Sequence, residues 1–496
     1  MRAPRISRTC YAAVGLVLAT VGTLALPTGT AVAAPTADPT PGPLLSYVVN
    51  TKADHGQVQK VEQAVTGLGG TAVQSYEQVG VVIARSTDAR FAEKLRLVEG
   101  VDSVGASRTK GIQASDQGKA DVAAEPTGTA APGQEPYEAY QWDMRQIGVD
   151  KAHKISLGSR NVTVGVLDSG IDATHEDLAA NVDASQSVSC IDGGKPNTDW
   201  KAWQPGADGD HGTHVAGTIA AARNGKGIVG IAPNVKLAAV KVVDDGGMIY
   251  PEYAICGFVW AGEHQFKVTN NSYYVDPWMF NCPNDKDQAA ITAAVRKAVA
   301  FSQRKGVLNI AAAGNENIDL AHKTVDVASP DDTTPASRPV TNDCLSLPTE
   351  LPGVIAVSAV GVNGDKASYS SYGKGVVTVA APGGDRDYQI PDTPDKDGRI
   401  LSTIPGGKYG YMQGTSMAAP HATGVAALLA GTFPWAGPDE LTKLLTNQAD
   451  YHPCPTGEFN PGGAGEWKAT CEGGADDNGF YGAGIINAEK AVQWWR

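Results

Sequence analysis

Four polar side chains stand in short motifs of small residues, and together they could carry out acyl transfer. Asp168 ends the apolar run VTVGVLD, His211 begins HGTHVAG, Asn315 follows VLNIAAAG, and Ser416 lies within GTSMAAPHATG. A serine hydroxyl becomes nucleophilic when an imidazole takes its proton, and a carboxylate holds that imidazole in the required tautomer. An asparagine amide can donate a hydrogen bond to the oxyanion of the intermediate. This set of residue types therefore predicts a site for acyl transfer.

Each of these motifs also has an ordinary structural explanation. Asp168 and Asn315 follow apolar runs, where turn-forming residues are common, and Ser416 could simply cap a helix. His214, three residues after His211, is an alternative base. A His-x-x-His pair could instead bind a metal, but no glutamate lies between these two histidines as it does in HExxH metal sites. Only the four motifs taken together favour catalysis.

The chain from residue 137 to residue 496 alternates apolar strands with helices. Such alternation predicts an α/β fold with a parallel sheet covered by helices on both faces, and ligands then bind at the carboxyl ends of the strands. The predicted strands are 162–168, 236–243, 267–274, 307–314, 354–360 and 376–382, and helices are predicted over 213–222, 287–304 and 416–430.

Two further segments precede this region. Residues 45–108 show the order β-α-β-β-α-β, which predicts a small ferredoxin-like α/β domain. Residues 109–136 contain no aromatic side chain and are rich in Ala, Gly, Pro and Gln. That composition predicts a flexible linker that proteases can reach.

The first 33 residues have the pattern of a signal peptide. Three arginines precede the apolar run 11–26, and Ala31-Val32-Ala33 supplies small residues for a cleavage site. The apolar run is too short for a membrane span, and no later run reaches the length of about 18 residues that a span needs. We therefore expect a secreted, extracellular protein without a membrane partner.

Composition and charge limit the remaining possibilities. Hydrophobic residues make up 42% of the 496 residues and charged residues 19%, as in globular proteins. The formal net charge of −13 argues against a nucleic-acid partner, which normally requires a basic face.

Six cysteines remain after the signal peptide, and an even number in an exported chain predicts disulfides. Cys454–Cys471 is the favoured pair because both residues flank one glycine-rich loop. Cys256–Cys282 is a second choice, and free buried thiols are the alternative.

The motifs VGVLDSGID, HGTHVAG and GTSMAAPHATG resemble the Asp, His and Ser motifs of the subtilisin family (subtilases) of secreted serine endopeptidases, in the same chain order. AAAGNE resembles the oxyanion-asparagine motif of that family. The resemblance implies a subtilisin-like fold over 137–496, with Ser416 as nucleophile and His211 as general base and then acid. It further implies that Asp168 orients His211, and that Asn315 and the backbone N–H of Ser416 form the oxyanion hole.

The resemblance also assigns a role to the first domain. Residues 45–108 resemble the family's inhibitor-type propeptide, which assists folding, blocks the cleft and is removed autocatalytically. The cut would fall within 109–136. An ordinary accessory domain is the alternative. Protein or peptide substrates and a monomeric enzyme are expected.

The resemblance places the substrate-binding wall at Ser272, Tyr273, Tyr274 and Gly314. Many relatives have the sequence Ser-Leu-Gly-Gly there, so the two tyrosines could narrow the pocket. The resemblance also indicates an insertion at about 317–346, which we expect near the cleft. A broad endopeptidase and a narrow processing peptidase both remain open. An inactive binding protein is a third reading, but no catalytic residue is missing.

The family needs no cofactor for its chemistry, although some members bind structural calcium. Asp177 and Asn224 fall where calcium-binding relatives place ligands, and carboxylate and amide oxygens suit this ion. Both are also ordinary loop residues.

Overall fold

The computed structural model describes residues 42–110, 121–124, 126, 130–206 and 209–493. The predicted signal peptide and much of the predicted linker lie outside these residues. Within the described part of the chain, no helix is both long and apolar enough to cross a membrane.

Residues 42–110 form a four-stranded antiparallel sheet with two helices packed on it. The strands lie in the order β2 (Thr71–Tyr76), β3 (Val81–Ser86), β1 (Leu45–Thr51) and β4 (Val101–Ala106). The core of this unit contains Val49, Val58 and Phe91. The element order is the one that the sequence predicts. The elements are β1 (Leu45–Thr51), α1 (His55–Gly67), β2 (Thr71–Tyr76), β3 (Val81–Ser86), α2 (Phe91–Leu95) and β4 (Val101–Ala106).

The described residues that follow contain a second, larger set of elements. The strands are β5 (Asp121–Val122), β6 (Thr163–Asp168), β7 (Val188–Asp192), β8 (Lys195–Asn197), β9 (Lys236–Lys241), β10 (Val268–Asn271), β11 (Leu308–Ala312), β12 (Val325–Asp326), β13 (Arg338–Pro339), β14 (Val354–Val360), β15 (Val379–Pro382), β16 (Ile400–Ile404) and β17 (Lys408–Met412). The helices are α3 (Trp142–Gln146), α4 (Val149–Ala152), α5 (Asp210–Ala220), α6 (Pro251–Glu263), α7 (Lys286–Arg304), α8 (Thr415–Thr432), α9 (Pro438–Asn447) and α10 (Ala488–Ala491).

An eight-stranded sheet organises this region, with the order β15-β14-β11-β10-β6-β9-β7-β8. Its pairs are parallel except for β7 with β8. One hydrophobic core joins α5 and α8 to the sheet, and another joins α6 and α7 to it. Helices therefore cover both faces, which confirms the predicted fold class.

Parallel strands bring the predicted catalytic residues to one edge of the sheet. β6 ends at Asp168, β10 ends just before Ser272, and β11 ends shortly before Gly314. The helices that carry His211 and Ser416 are α5 and α8. Small side chains along the buried α8 let it pack closely on the strands.

The sheet of the N-terminal unit packs on α7. Asn50 Nδ2 donates to the backbone oxygen of Ala290 at 2.9 Å, and Arg96 forms an ion pair with Asp287 at 2.6 Å. Gly105 lies so close that a Cβ there would come within 2.4 Å of the Asp287 carbonyl oxygen. This close approach fixes where the chain leaves β4.

The described part of 109–136 differs from the flexible linker that its composition predicts. β5 pairs with β17 through Val122 and Asp121. Glu135 is buried, and Arg223 donates to the carbonyl oxygen of Gly133 at 2.9 Å. Backbone pairing and burial therefore hold these described residues against the larger domain.

Three disulfides are present among the described residues: Cys190–Cys256, Cys282–Cys344 and Cys454–Cys471. The favoured pair Cys454–Cys471 is confirmed, and the pair Cys256–Cys282 is wrong. The backbone bridge between Asn281 and Leu345 brings Cys282 to Cys344 instead. Sequence distance alone does not show such a long-range contact.

Candidate active site

A hydrogen-bonded pair at the end of β6 forms the first part of the site. His211 Nδ1 lies 2.8 Å from Asp168 Oδ1 and 3.0 Å from Asp168 Oδ2. The backbone N–H of Ser169 also donates to Asp168 Oδ1, at 2.7 Å. Asp168 is 1% exposed, whereas the His211 side chain is 31% exposed. The buried carboxylate can therefore hold the imidazole with Nε2 available to the cavity.

Glycine after His211 lets the helix approach the strand. A Cβ on Gly212 would lie 2.3 Å from the carbonyl oxygen of Gly170, so no larger residue fits without movement. Ser169 completes the junction because its hydroxyl accepts from the Gly212 N–H at 3.0 Å. Sequence reasoning passed over Ser169, which links β6 to α5.

The environment of His211 suits a base that works near neutral pH. Burial lowers the pKa of His211, but the charge of Asp168 and its hydrogen bond outweigh burial and raise the pKa above 6.5. A more basic imidazole accepts the serine proton more readily and must be deprotonated beforehand.

His214, the alternative base, lies away from this cavity. Its side chain is fully buried, and its Nε2 lies 3.1 Å from the carbonyl oxygens of Ile400 and Gly410. Burial, and then the charge of His211, lower the pKa of His214 to about 3. The histidine therefore stays neutral and connects α5 to the β16–β17 hairpin. Within the described residues, no group of three or more His, Cys, Asp or Glu side chains could hold a metal.

Ser416 is the second residue of α8 and borders a cavity of about 700 Å³. Asp168, His211 and Asn315 line the same cavity. Ser416 Oγ donates to the carbonyl oxygen of Ser272 at 3.3 Å, a long and therefore weak hydrogen bond. The Ser272 hydroxyl in turn donates to the Ser416 carbonyl oxygen at 2.9 Å and positions this end of the helix.

The side chain of Asn315 is held by Thr415, which sequence reasoning passed over. Asn315 Oδ1 accepts from the backbone N–H of Thr415 at 2.8 Å and from its hydroxyl at 2.9 Å. The same hydroxyl accepts from the Gly314 N–H at 3.1 Å. Because its oxygen is fixed in this way, Asn315 keeps its NH₂ group as the donor available for an oxyanion.

A second cavity of about 320 Å³ adjoins Ser416 and contains the predicted substrate wall. Tyr273 donates to Asn271 Oδ1 at 3.0 Å, and Tyr274 donates to Asp331 at 2.7 Å. Asp331 belongs to the predicted insertion, so the structure brings the insertion to the cleft. Ser272, Gly314 and the two tyrosines all line this cavity.

Three carboxyl groups, those of Glu316, Asp276 and Asp331, also line the second cavity. Burial raises the pKa of each of them. Burial therefore disfavours the charged forms of these carboxyl groups, and this part of the wall is polar.

Asp121 of β5 lies in the larger cavity with the catalytic residues. Arg399 donates to its carboxylate, and Arg386 lies 3.8 Å from the same oxygen. The pairing of β5 with β17 therefore places the chain's own backbone along one wall of the cleft.

The predicted calcium ligands do not fit the ion in this arrangement. Asp177 accepts from the Ile228 N–H and the Tyr409 hydroxyl, both at 3.0 Å, and from Asn224 Nδ2 at 3.1 Å. The side-chain oxygen of Asn224, Oδ1, accepts from the backbone N–H of Lys226 in its own loop. One buried oxygen of Glu135 lacks a partner, but calcium takes six to eight oxygen ligands. Donors, rather than free oxygens, surround Asp177.

Comparison with known proteins agrees with this geometry. The family model Peptidase_S8, described as the subtilase family, matches residues 159–484, which include the four catalytic candidates. The chain belongs to the subtilase family. It is therefore a subtilisin-type serine endopeptidase, and catalysis in this family requires no cofactor.

Individual relatives show how far the similarity extends. Subtilisin NAT from Bacillus subtilis subsp. natto is 31% identical over 356 residues, covering 72% of this chain and 72% of that protein. Fervidolysin from Fervidobacterium pennivorans is 34% identical over 62% of this chain, but the match spans only 40% of its own length.

Solved structures confirm the fold of this subtilase. The crystal structure of fervidolysin, titled a keratinolytic enzyme related to subtilisin, aligns with a TM-score of 0.62 and 25% identity over 92% of this chain and 62% of that chain. The epidermin leader peptide processing serine protease of Staphylococcus aureus aligns with a TM-score of 0.65 over 91% of this chain and 99% of its own. At 19% identity, it supports the fold alone.

Removal of the Thr415 hydroxyl should loosen the oxyanion donor. We expect Thr415→Val to lower kcat by about tenfold, less than Asn315→Ala, for which loss of the donor itself costs about 2.7–4 kcal/mol. Thr415→Ser is the matched control because it keeps the hydroxyl. Steady-state kinetics with one peptide substrate would measure this, and an unchanged kcat in Thr415→Val would contradict the assigned role.

The raised pKa of His211 predicts the acid limb of the activity profile. Only neutral His211 can act as base, so kcat/KM should rise with pH through a midpoint above 6.5, the ordinary value. Asp168→Asn removes the charge that raises the pKa, and it should lower both the midpoint and the rate. A wild-type midpoint below 6.5, or one unmoved by Asp168→Asn, would assign the limb to another group.

Proposed function

We propose that the chain is a secreted subtilase that is made as a zymogen and cleaves peptide bonds through an Asp168–His211–Ser416 triad. The observation that carries the proposal is the shared cavity. Its walls combine these three residues and Asn315 with Asp121, which belongs to the chain's own upstream segment. A protease whose cleft holds its own upstream chain has the arrangement of a precursor.

In the proposed reaction, His211 Nε2 takes the proton of Ser416 as the hydroxyl oxygen attacks the carbonyl carbon of the peptide. Asp168 accepts from Nδ1 and stabilises the imidazolium that forms. Asn315 Nδ2 and the backbone N–H of Ser416 donate to the oxyanion, while the α8 N-terminus adds partial positive charge. The imidazolium then protonates the leaving amine. Water, activated by the same imidazole, hydrolyses the acyl-enzyme.

Contacts on either side of the stretch 111–120 support the zymogen proposal. Before it, the backbone N–H of Thr109 donates to Asp332 at 2.8 Å, next to the Asp331 wall of the second cavity. After it, β5 lies on β17 at the wall of the larger cavity. In this proposal, residues 45–108 are the inhibitor-type propeptide, the activation cut falls within 109–136, and removal is autocatalytic.

Other parts of the proposal rest on sequence and family. Secretion is proposed from the signal-like residues 1–33, and proteins or peptides are the proposed substrates of a monomeric enzyme. Calcium at Asp177 and Asn224 stays a prediction, and the donors around Asp177 argue against it. The interpretation as an inactive binding protein would require that a catalytic residue be missing, and none of the four is.

A narrow processing peptidase is a second candidate, favoured by the second cavity. Tyr274 is tied to the insertion through Asp331, and carboxyl groups line the same walls. Such walls restrict the side chains that can enter. A cleavage profile on a diverse peptide pool separates the candidates, because a broad enzyme cuts many sequences and a processing enzyme cuts few.

Ser416→Ala should fold but keep its N-terminal unit. Wild-type chain refolded without other proteases should lose the segment before about residue 137, because only the Ser416 hydroxyl can attack that bond. Intact mass measurement reads the result directly. Ser185→Ala, which removes an exposed serine hydroxyl, is the control and should process as wild type does. Equal processing of wild type and Ser416→Ala would overturn autocatalysis by Ser416.

A further inference from the structure

A buried arginine of the N-terminal unit occupies a pocket on the larger domain. The side chain of Arg108 is 2% exposed, and its Nη2 donates to Glu252, whose side chain is 0% exposed. The Arg108 guanidinium carbon lies 3.7 Å from the ring centre of Tyr250 and 5.9 Å from that of Tyr253. We call Tyr250, Glu252 and Tyr253 the arginine pocket.

The pocket has the features of a site for a planar cation. A guanidinium can stack on one aromatic face while its N–H groups bind a carboxylate, whereas an ammonium offers a point charge and no plane. Glu252 pairs with no cation other than Arg108 among the described residues, and its second oxygen has no hydrogen-bond partner. Its charge is therefore compensated only while an arginine is present.

The arginine pocket adjoins the cleft along the chain. Ile249, next to Tyr250, lines both the cavity of the catalytic residues and the smaller cavity. Thr109, next to Arg108, bonds to Asp332, and the adjoining Asp331 lines the smaller cavity. A chain held at Arg108 therefore lies next to a wall of the smaller cavity at Thr109.

Departure of the N-terminal unit would remove Arg108, the cation paired with Glu252, and would leave this carboxylate in an emptied pocket that water can enter. A carboxylate beside an aromatic face then offers a complementary surface to another guanidinium. A substrate peptide that runs through the cleft in the direction of the chain's own segment can supply that cation from a residue upstream of the bond to be cut. Charge complementarity of this kind contributes mainly to specificity.

We propose that the arginine pocket is a substrate subsite, and that Glu252 makes this subtilase prefer peptides with an arginine upstream of the scissile bond. The inference rests on the proposed function, since it concerns the cleft of a processed, active enzyme. Before the N-terminal unit is removed, Arg108 fills the arginine pocket. After its removal, an arginine of the substrate binds there. Citrulline, which keeps the shape of arginine without its charge, should bind poorly.

The test uses enzyme matured from the full chain and peptides of one fixed sequence. Arginine is placed in turn at each position upstream of the cut and compared with lysine, citrulline and alanine. At one position, kcat/KM should be higher for arginine than for citrulline by about tenfold or more, with lysine in between. This comparison uses only the wild-type enzyme. It therefore tests the proposal even if a variant of the buried Glu252 does not fold.

Glu252→Gln supplies the second arm of the test. The arginine-to-citrulline ratio should fall towards one in this variant, while Glu263→Gln, at the exposed far end of the same helix, keeps the wild-type ratio. Cleavage of arginine and citrulline peptides at equal rates at every position would overturn the subsite but leave the peptidase assignment standing. Cleavage of no peptide would contradict both proposals.

Discussion

The hydrogen bond between His211 and Asp168 is the interaction on which the proposed chemistry depends, and elements of the main sheet and its helices position both residues. β6 delivers the carboxylate to the edge of a parallel sheet, and α5 delivers the imidazole. Gly212 and Ser169 permit the close contact between these two elements. Because Asp168 is buried, its charge acts on the imidazole with little screening by water.

The same constraint explains the small residues around Ser416. α8 is buried along most of its length, and its first turn must fit between Asn315 and Ser272. Larger side chains there would fill the space that a peptide carbonyl needs. The upstream chain lies at this edge too, since Asp121 lines the larger cavity and Thr109 bonds to Asp332, the neighbour of Asp331 in the smaller cavity. One open edge therefore accounts for both the proposed catalysis and the proposed self-inhibition.

The sequence predicts much of this arrangement because periodic apolar runs report strands and helices directly. It predicts the parallel sheet, the small N-terminal α/β unit and the convergence of Asp168, His211, Asn315 and Ser416. It does not predict contacts between distant segments. The pairing of Cys190 with Cys256, the hold of Thr415 on Asn315 and the burial of Arg108 against Glu252 depend on tertiary packing that no local pattern reports. The strand at Asp121–Val122 likewise arises from its partner β17.

The most direct test of the account is covalent labelling of the matured enzyme with a fluorophosphonate, followed by peptide mass mapping. Such reagents react with serine hydroxyls that a neighbouring base activates. The account predicts one labelled residue, Ser416, and loss of labelling in His211→Ala from which an added protease has removed the N-terminal unit. Label on another serine, or undiminished labelling of Ser416 in His211→Ala, would contradict the proposed triad.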